Sequence, residues 1–192
     1  MVGETVEGAL STLKRLDEKR INDLHKRFQE PRLYIMAGLR NPPQLKDLRS
    51  DLIDESLWLW EIFPQGREKP AGFAGIVGYS GPPFVFVYFD DNKIDLEIAR
   101  DAIVQLAQGF FKETEEEALW LYQPRPVDPK INDMLIEGGF DPYEEDELPG
   151  VDLKKEAAFR MERHTWTAYY GEDSGENYEA NDDDDDPHEL EF

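Results

Sequence analysis

The apolar run Phe84-Val85-Phe86-Val87-Tyr88-Phe89 leads into Asp90-Asp91-Asn92, and a helical pattern begins near Ile94. A strand that runs into a helix N-terminus often holds a phosphate, because free backbone N–H groups and the helix dipole favour an anion there. Such a turn usually contains glycine, which lets the backbone approach the ligand. This turn has no glycine and carries four acids, Asp90, Asp91, Asp95 and Glu97. The architecture therefore predicts an anion site, whereas the residue types oppose one.

The pattern on both sides of this turn predicts a mixed α/β (α+β) fold. Strands are predicted at 32–39, 57–63, 72–79, 84–89, 118–122 and 158–169, and helices at 43–54, 94–111 and 129–137. The three central strands follow one another through short turns, which favours an antiparallel meander. Helix 94–111 then makes a right-handed crossover to the next strand.

The N-terminal segment, residues 1–30, is predicted to be an amphipathic helix. Apolar residues recur at three- and four-residue spacing from residue 4 to residue 28, and Pro31 ends the pattern. The apolar stripe either packs on the chain's own domain or forms a homo-oligomer or partner contact, and the sequence leaves both open. The predicted organisation is this helix, a domain at 31–170 and a tail at 171–192.

Charge is distributed unevenly along the 192 residues, whose formal net charge is −22. Of the 43 acids, 11 lie after Gly171, where there is no Lys or Arg, so the body keeps 32 acids against 21 bases. A body with a net charge of −11 repels nucleic-acid phosphate and anionic lipid. We therefore expect no membrane binding and no direct nucleic-acid binding, and we expect a basic protein partner that docks through the acidic tail.

The composition also limits the chemistry. The chain has no cysteine, which excludes disulfides, thiolate catalysis and cysteine-bound zinc. Its three histidines lack metal-ligand spacing, so no metal site is predicted. The N-terminus has no signal-peptide pattern and no apolar run approaches membrane-spanning length, which favours a cytoplasmic protein.

The order of elements over about residues 32–169 resembles the GNAT superfamily of acyl-CoA-dependent N-acetyltransferases. In that family a strand ends in an apolar residue whose backbone holds the pantetheine arm, and a Gln/Arg-x-x-Gly-x-Gly/Ala loop wraps the pyrophosphate. Alignment places Phe89 at the pantetheine position and residues 94–99 on the loop, where Ala99 alone matches. Lys93 and Arg100 are the basic residues that this alignment brings nearest to the phosphates.

A second family motif supports the alignment. It consists of Asn, a short helix that carries a general-acid Tyr seven residues later, and Gly-Phe with the Phe twelve residues after the Asn. Here Gly139-Phe140 matches, Asp128 stands for the Asn, and Leu135 stands for the Tyr. Glu61 and Tyr88 are the titratable strand residues that remain as candidates for the catalytic base.

Three functions follow from these features. The first is a GNAT-fold protein with a degraded acetyl-CoA site that acts as a non-catalytic interaction or structural protein. The second is an active, divergent N-acetyltransferase that uses acetyl-CoA and a basic acceptor, with Phe89, Lys93 and Ala99 at the cofactor and Glu61 or Tyr88 as base. The third is an acidic nucleic-acid mimic that occupies a DNA-binding protein.

The C-terminus adds one resemblance. The run Asp182–Asp186 is followed by a chain end in Phe192, as in the partner-docking tails of single-stranded-DNA-binding proteins from bacteria and phages. Because GNAT-like folds recur in phage genomes, a phage protein that acts in the virion or on the host is a further expectation.

Overall fold

The sheet of the protein is mixed and mostly antiparallel, and helices cover both of its faces. A computed structural model describes residues 4–16, 20–53, 56–78, 81–90, 95–145, 147–148 and 150–170. The strands in this part of the chain are β1 (Thr5–Glu7), β2 (Ser11–Arg15), β3 (Leu57–Pro64), β4 (Gly72–Val77), β5 (Phe84–Phe89), β6 (Ala118–Pro124), β7 (Asp141–Pro142) and β8 (Glu156–Glu162). The helices are α1 (Ile21–Arg27), α2 (Pro31–Met36), α3 (Leu45–Ile53), α4 (Leu96–Glu113), α5 (Pro129–Glu137) and α6 (Arg163–Tyr170).

The strand order is β1-β2-β3-β4-β5-β6-β8-β7, and β5 and β6 form its parallel pair. Strands β3, β4 and β5 pair along their lengths as the predicted meander. By contrast, β5 and β6 meet at Phe84 opposite Trp120, near the start of both strands. Beyond that pair the two strands part, which opens a cleft in the sheet.

Alternation along β5 divides the core between the two faces of the sheet. Val85 and Phe89 are buried on the face covered by α4, together with Ala99 and Leu106 of that helix. Phe86 and Tyr88 are buried on the opposite face, which α1, α2 and α3 cover. The apolar run therefore serves two cores, which explains why it lacks the polar alternation of a half-exposed strand.

The predicted strands at 57–63, 72–79, 84–89 and 118–122 and the predicted helices at 43–54, 94–111 and 129–137 are confirmed, with small shifts at their ends. The fold class of the sequence analysis is confirmed as well. The tail at 171–192 lies outside the described residues.

The N-terminal helix predicted for residues 4–28 is wrong over its first half. This part forms the β1–β2 hairpin, and helix is present from Ile21 to Arg27. The hairpin turn is held by Asp101 of α4, which accepts hydrogen bonds from the backbone N–H of Ala9 (3.1 Å) and Leu10 (3.2 Å). Contacts between residues about ninety positions apart thus override the local helical pattern. Such contacts cannot be read from the spacing of apolar residues within one segment.

The apolar residues of this segment are also buried within the domain. Leu13, Ile21, Leu24 and Phe28 are at most 3% exposed. The alternative in which the stripe packs on its own domain is therefore confirmed for these residues. A homo-oligomer through residues 1–30 stays a prediction. It has lost its main support, because these apolar side chains are buried and cannot contact a second copy.

Two other predicted strands are wrong. Residues 32–39 were expected as a strand, but Pro31 stands in the first turn of helix α2, where its fixed φ fits and its missing N–H costs nothing. A short apolar run such as Leu33 to Met36 suits either structure, and here Leu33 is buried whereas Ile35 is 60% exposed. The helix ends at Met36 with Ala37 as its cap, and Gly38 follows with a φ of 75°, which favours glycine.

The closing strand predicted at 158–169 is β8 up to Glu162, and the remainder is helix α6. The change of structure occurs at Arg163, whose guanidinium donates to the carbonyls of Phe111 (2.8 Å), Thr114 (2.5 Å) and Glu116 (3.1 Å). These carbonyls lie at the C-terminal end of α4 and just beyond it, where helix geometry leaves acceptors unsatisfied. Arg163, the first residue of α6, therefore ties the junction of β8 and α6 to the end of α4.

Candidate functional site

A large cleft opens where β5 and β6 part. Its volume is about 1060 Å³, which is ample for a small ligand. One wall is apolar and comes from β5, α4 and α5, with Val87, Ala99, Ile103 and Leu135 among its residues. The other wall comes from β6 and β8 and carries Tyr122, Gln123 and Glu156.

The first turn of α4 stands at the cleft, as the anion site of the sequence analysis requires. Phe89 and Ala99, two of the predicted cofactor residues, both line the cleft. The N-terminal cap of the helix is Asp95, whose carboxylate accepts a hydrogen bond from the backbone N–H of Ile98 at 3.3 Å. The protein's own carboxylate thus takes one of the N–H groups that would otherwise be free for a bound anion.

The charged residues around this turn are engaged elsewhere or lie outside the described residues. Arg100 forms an ion pair with Glu137 of α5. Asp90 forms an ion pair with Arg27 of α1, whose guanidinium also lies 5.0 Å from the ring centroid of Phe73. Lys93, the other predicted basic residue, lies outside the described residues. Asp90 is therefore paired with a base, whereas Asp95 and Glu97 take part in no ion pair among the described residues.

The residues that were aligned with the second family motif lie along α5 and just after it. Asp128 caps α5 by accepting a hydrogen bond from the N–H of Lys130 at 2.8 Å. Phe140 is fully buried just after this helix. Leu135 is 1% exposed, belongs to the core and lines the cleft. The residue that the resemblance aligns with the family's acid thus lines the cleft with a hydrocarbon side chain.

The two candidate bases lie on the α1–α3 face of the sheet, outside the cleft lining. Glu61 is 4% exposed, and both its oxygens are bound by the guanidinium of Arg20, with Nη2 to Oε1 at 2.9 Å. Tyr88 is 6% exposed and lies in the core, with the guanidinium of Arg32 5.4 Å from its ring centroid. Both stand in one row across the sheet, because Phe73 pairs with Glu61 on one side and with Tyr88 on the other. Their catalytic roles stay predictions.

The sequence analysis missed Tyr122 and Glu156. Tyr122 is partly buried in the cleft wall, and burial, together with the negative charge of Glu156, raises its pKa to about 12. The phenol therefore stays protonated across the physiological range. Nothing in the local pattern indicated these residues, because they meet through the pairing of β6 with β8, in which Tyr122 lies opposite Ala158 and Pro124 opposite Glu156.

The residues present do not fit coenzyme A as the family pattern would hold it. A diphosphate needs N–H donors and a cation, whereas the described start of α4 presents Asp95 and Glu97. Two like charges at about 4 Å repel by roughly 1 kcal/mol in water and about 4 kcal/mol near a protein surface. The apolar wall of the cleft suits a thioester arm, whereas the two carboxylates at the described start of α4 oppose a diphosphate there.

Other types of site are not found among the described residues. They contain no group of three or more His, Asp or Glu side chains placed to hold a metal ion. No helix in the described part of the chain has the length and apolar character needed to cross a membrane.

Comparison with known proteins gives structural but no sequence matches. No protein-family model and no curated protein sequence matches the chain. Spermidine N-acetyltransferase from Vibrio cholerae, solved with coenzyme A and spermine, matches with a TM-score of 0.60 and 11% identity over 82% of this chain and 98% of that one. Aminoglycoside acetyltransferase AAC(6')-Ib, solved with ribostamycin and coenzyme A, matches with a TM-score of 0.59 and 14% identity over 85% and 99%.

A third match is RimL, the ribosomal L7/L12 alpha-N-protein acetyltransferase, solved with coenzyme A. Its TM-score is 0.58 at 12% identity over 83% of this chain and 98% of RimL. Each of the three structures is covered almost completely. The element order, the parted β5–β6 pair and these matches agree, and the chain has the GNAT acetyltransferase fold.

Proposed function

We propose that this protein is a GNAT-fold binding protein that does not transfer acetyl groups. The observation that carries the proposal is Leu135, because it puts a hydrocarbon side chain in the cleft where the family pattern has its acid. A leaving thiolate needs a proton, and a positioned acid typically contributes 10²- to 10⁴-fold to the rate. The carboxylate cap on α4 supports the same conclusion, since it weakens the grip on the cofactor as well.

No other ionisable group considered for this site, Glu61, Tyr88 or Tyr122, replaces the missing proton donor. Glu61 is held by Arg20 and Tyr88 is packed in the core, so neither reaches the cleft from its described position. Tyr122 lines the cleft, but a phenol with a pKa of about 12 is a poor proton donor to a thiolate. The cleft therefore serves binding better than acid–base chemistry.

A release assay tests the absence of transfer. The protein is incubated with millimolar acetyl-CoA and a set of amines that includes spermidine, a lysine-rich peptide and an aminoglycoside, and free thiol is measured. We expect no release above the buffer rate. Amine-dependent release that is lost in an Ala99→Trp variant, which fills the cleft, would contradict the proposal.

A second candidate function is acetyl transfer to an amine, and one observation favours it. The cleft is open. In a protein that no longer binds a ligand there, substitutions to larger side chains could fill such a cleft without loss of function. The three structural matches described above were solved with coenzyme A bound. This candidate requires micromolar to submillimolar binding of acetyl-CoA, which the carboxylates at the start of α4 oppose.

The partner of such a binding protein is proposed to be basic. The support is the charge of −11 on the body and the further 11 acids in the tail at 171–192, which lies outside the described residues. Long-range attraction of this kind speeds association and is screened by salt. A lysine-rich probe peptide should bind the full chain tightly at 50 mM salt and more than tenfold more weakly at 300 mM salt. Binding that is indifferent to salt would contradict this proposal.

A further inference from the structure

The lining of the cleft is apolar or neutral except for one acidic residue, and the family resemblance does not explain this distribution of charge. Among the described residues that line it, Glu156 is the one with a formal charge at neutral pH, and none is Lys, Arg or His. The remaining lining is apolar or neutral. A ligand with a free negative charge would therefore find no counter-charge in this lining and would face a carboxylate.

The single acid stands beside an aromatic pair. The rings of Phe84 and Tyr122 lie edge to face with centroids 5.4 Å apart, and both residues line the cleft. Glu156 is a diagonal neighbour of Tyr122 on one face of the β6–β8 pair, because Tyr122 lies opposite Ala158 and Pro124 lies opposite Glu156. The electrostatic effect of Glu156 on Tyr122 is consistent with this short separation.

The carboxylate of Glu156 is available to a ligand. It lies on an exposed residue and takes part in no ion pair within the described part of the chain. Arg125, which follows β6, does not line the cleft, and its Nε donates to the backbone carbonyls of Leu153 (2.9 Å) and Glu156 (3.1 Å). Glu156 therefore presents a negative charge at the edge of an aromatic and aliphatic surface.

A carboxylate next to aromatic rings is the arrangement that recognises organic cations, including quaternary ammonium groups. We propose that Tyr122, Phe84 and Glu156 bind the cationic head of an amphiphile whose aliphatic chain lies along the apolar wall formed by β5, α4 and α5. Val87, Ile103 and Leu135 supply that wall. The inference goes beyond the proposed function, because it names the ligand class and the residues that select it.

Calorimetric titration with three probes that each carry an eight-carbon chain tests the assignment without acetyl-CoA. The probes are octyltrimethylammonium, octanol and octanoate, which share a chain and differ in head-group charge. We expect the cation to bind at least tenfold more tightly than octanoate, with octanol between them. Equal affinities for the three probes, or no binding of the cation, would overturn the proposal.

Variants locate the head group. Glu156→Gln should weaken octyltrimethylammonium about fivefold and leave octanol unchanged, whereas Glu147→Gln, which removes an exposed acid outside the cleft lining, should change neither. Tyr122→Leu should weaken the cation more than octanol. If Glu156→Gln and Glu147→Gln behave alike, the head group is not held by Glu156 and the proposal fails.

A spectroscopic readout on the unmutated protein is independent of how the variants fold. Nuclear Overhauser effects should join the N-methyl protons of the probe to the rings of Tyr122 and Phe84. Effects to other aromatic residues alone would overturn the location. A quaternary nitrogen has no N–H to replace, so the probe cannot accept an acetyl group. A failure of the probe to bind would overturn this inference alone, whereas amine-dependent thiol release would overturn the proposed function.

Discussion

At the scale of single residues, two residues of the cleft agree with the family pattern and two other residues depart from it. Phe89 and Ala99 line the cleft, Leu135 replaces an acid and Asp95 caps the helix that would hold a phosphate. The sequence predicted these positions because they follow fixed spacings along the chain. It could not show that Arg20 binds Glu61, since 41 residues separate the two.

That ion pair gives a first prediction. Replacing Arg20 with Met leaves the carboxylate of Glu61 buried without its partner, which is costly even though the Arg20 side chain is 52% exposed. We expect a loss of about 2 kcal/mol in the free energy of unfolding, measured by urea denaturation. The double variant Arg20→Met, Glu61→Gln should recover part of the loss. A loss below about 0.5 kcal/mol in the single variant would contradict this prediction, because it would be the value expected of a solvent-exposed ion pair.

Tyr122 gives a prediction about pH. Its pKa is raised to about 12 in the folded protein, from an ordinary value of 10.0, chiefly by burial. Folding therefore favours the protonated phenol, and this contribution is complete below pH 10 and is lost as the pH rises through about 12. Between these values the wild type should lose stability more steeply than Tyr122→Phe, as measured by urea denaturation at pH 9, 10.5 and 11.5. Parallel curves would show that the phenol titrates normally.

At the scale of elements, the parts that depend on local pattern were predictable and those set by distant partners were not. Strands β3 to β6 and helices α4 and α5 follow from their periodicity and caps. The β1–β2 hairpin does not, because its turn depends on Asp101 and Gln105 of α4. A Cβ on Gly8 would lie 1.8 Å from Nε2 of Gln105, so the turn approaches the helix where a larger residue would force a shift.

The hairpin anchor leads to a prediction for Asp101. Its carboxylate accepts from the N–H groups of Ala9 and Leu10, from Oγ of Ser11 at 2.7 Å and from Nε2 of Gln105 at 2.7 Å. Asp101→Ala should lower the free energy of unfolding by about 2 kcal/mol, since bonds to a charged acceptor are the stronger kind. Hydrogen exchange in β1 and β2 should quicken more than in β4.

The matched control is Asp133→Asn, which changes an exposed acid on α5. It should leave both the unfolding free energy and the exchange of the hairpin unchanged. If Asp101→Ala quickens exchange uniformly over the sheet, the carboxylate stabilises the whole domain and is not a specific anchor of the hairpin.

At the scale of the whole molecule, the core is contained within residues 4–170 of the described chain. Its buried apolar residues run from Leu13 to Trp166. A chain that ends at Tyr170 should therefore unfold at the same temperature as the full chain, within about 2 °C, because a change of 1 kcal/mol shifts the midpoint of a domain of this size by about 2–4 °C. A larger drop would place part of the tail in the domain.

The absence of a working cofactor site is the property on which the proposed function depends, and calorimetric titration with acetyl-CoA measures it. We expect no saturable binding of acetyl-CoA by the wild type up to 1 mM, the concentration at which a binding free energy of about 4 kcal/mol would half-fill the site. Removing charge with Asp95→Asn and Glu97→Gln should strengthen any residual binding, whereas Asp133→Asn should not. Micromolar binding by the wild type would show that the start of α4 still holds the cofactor, and the proposed loss of the site would be wrong.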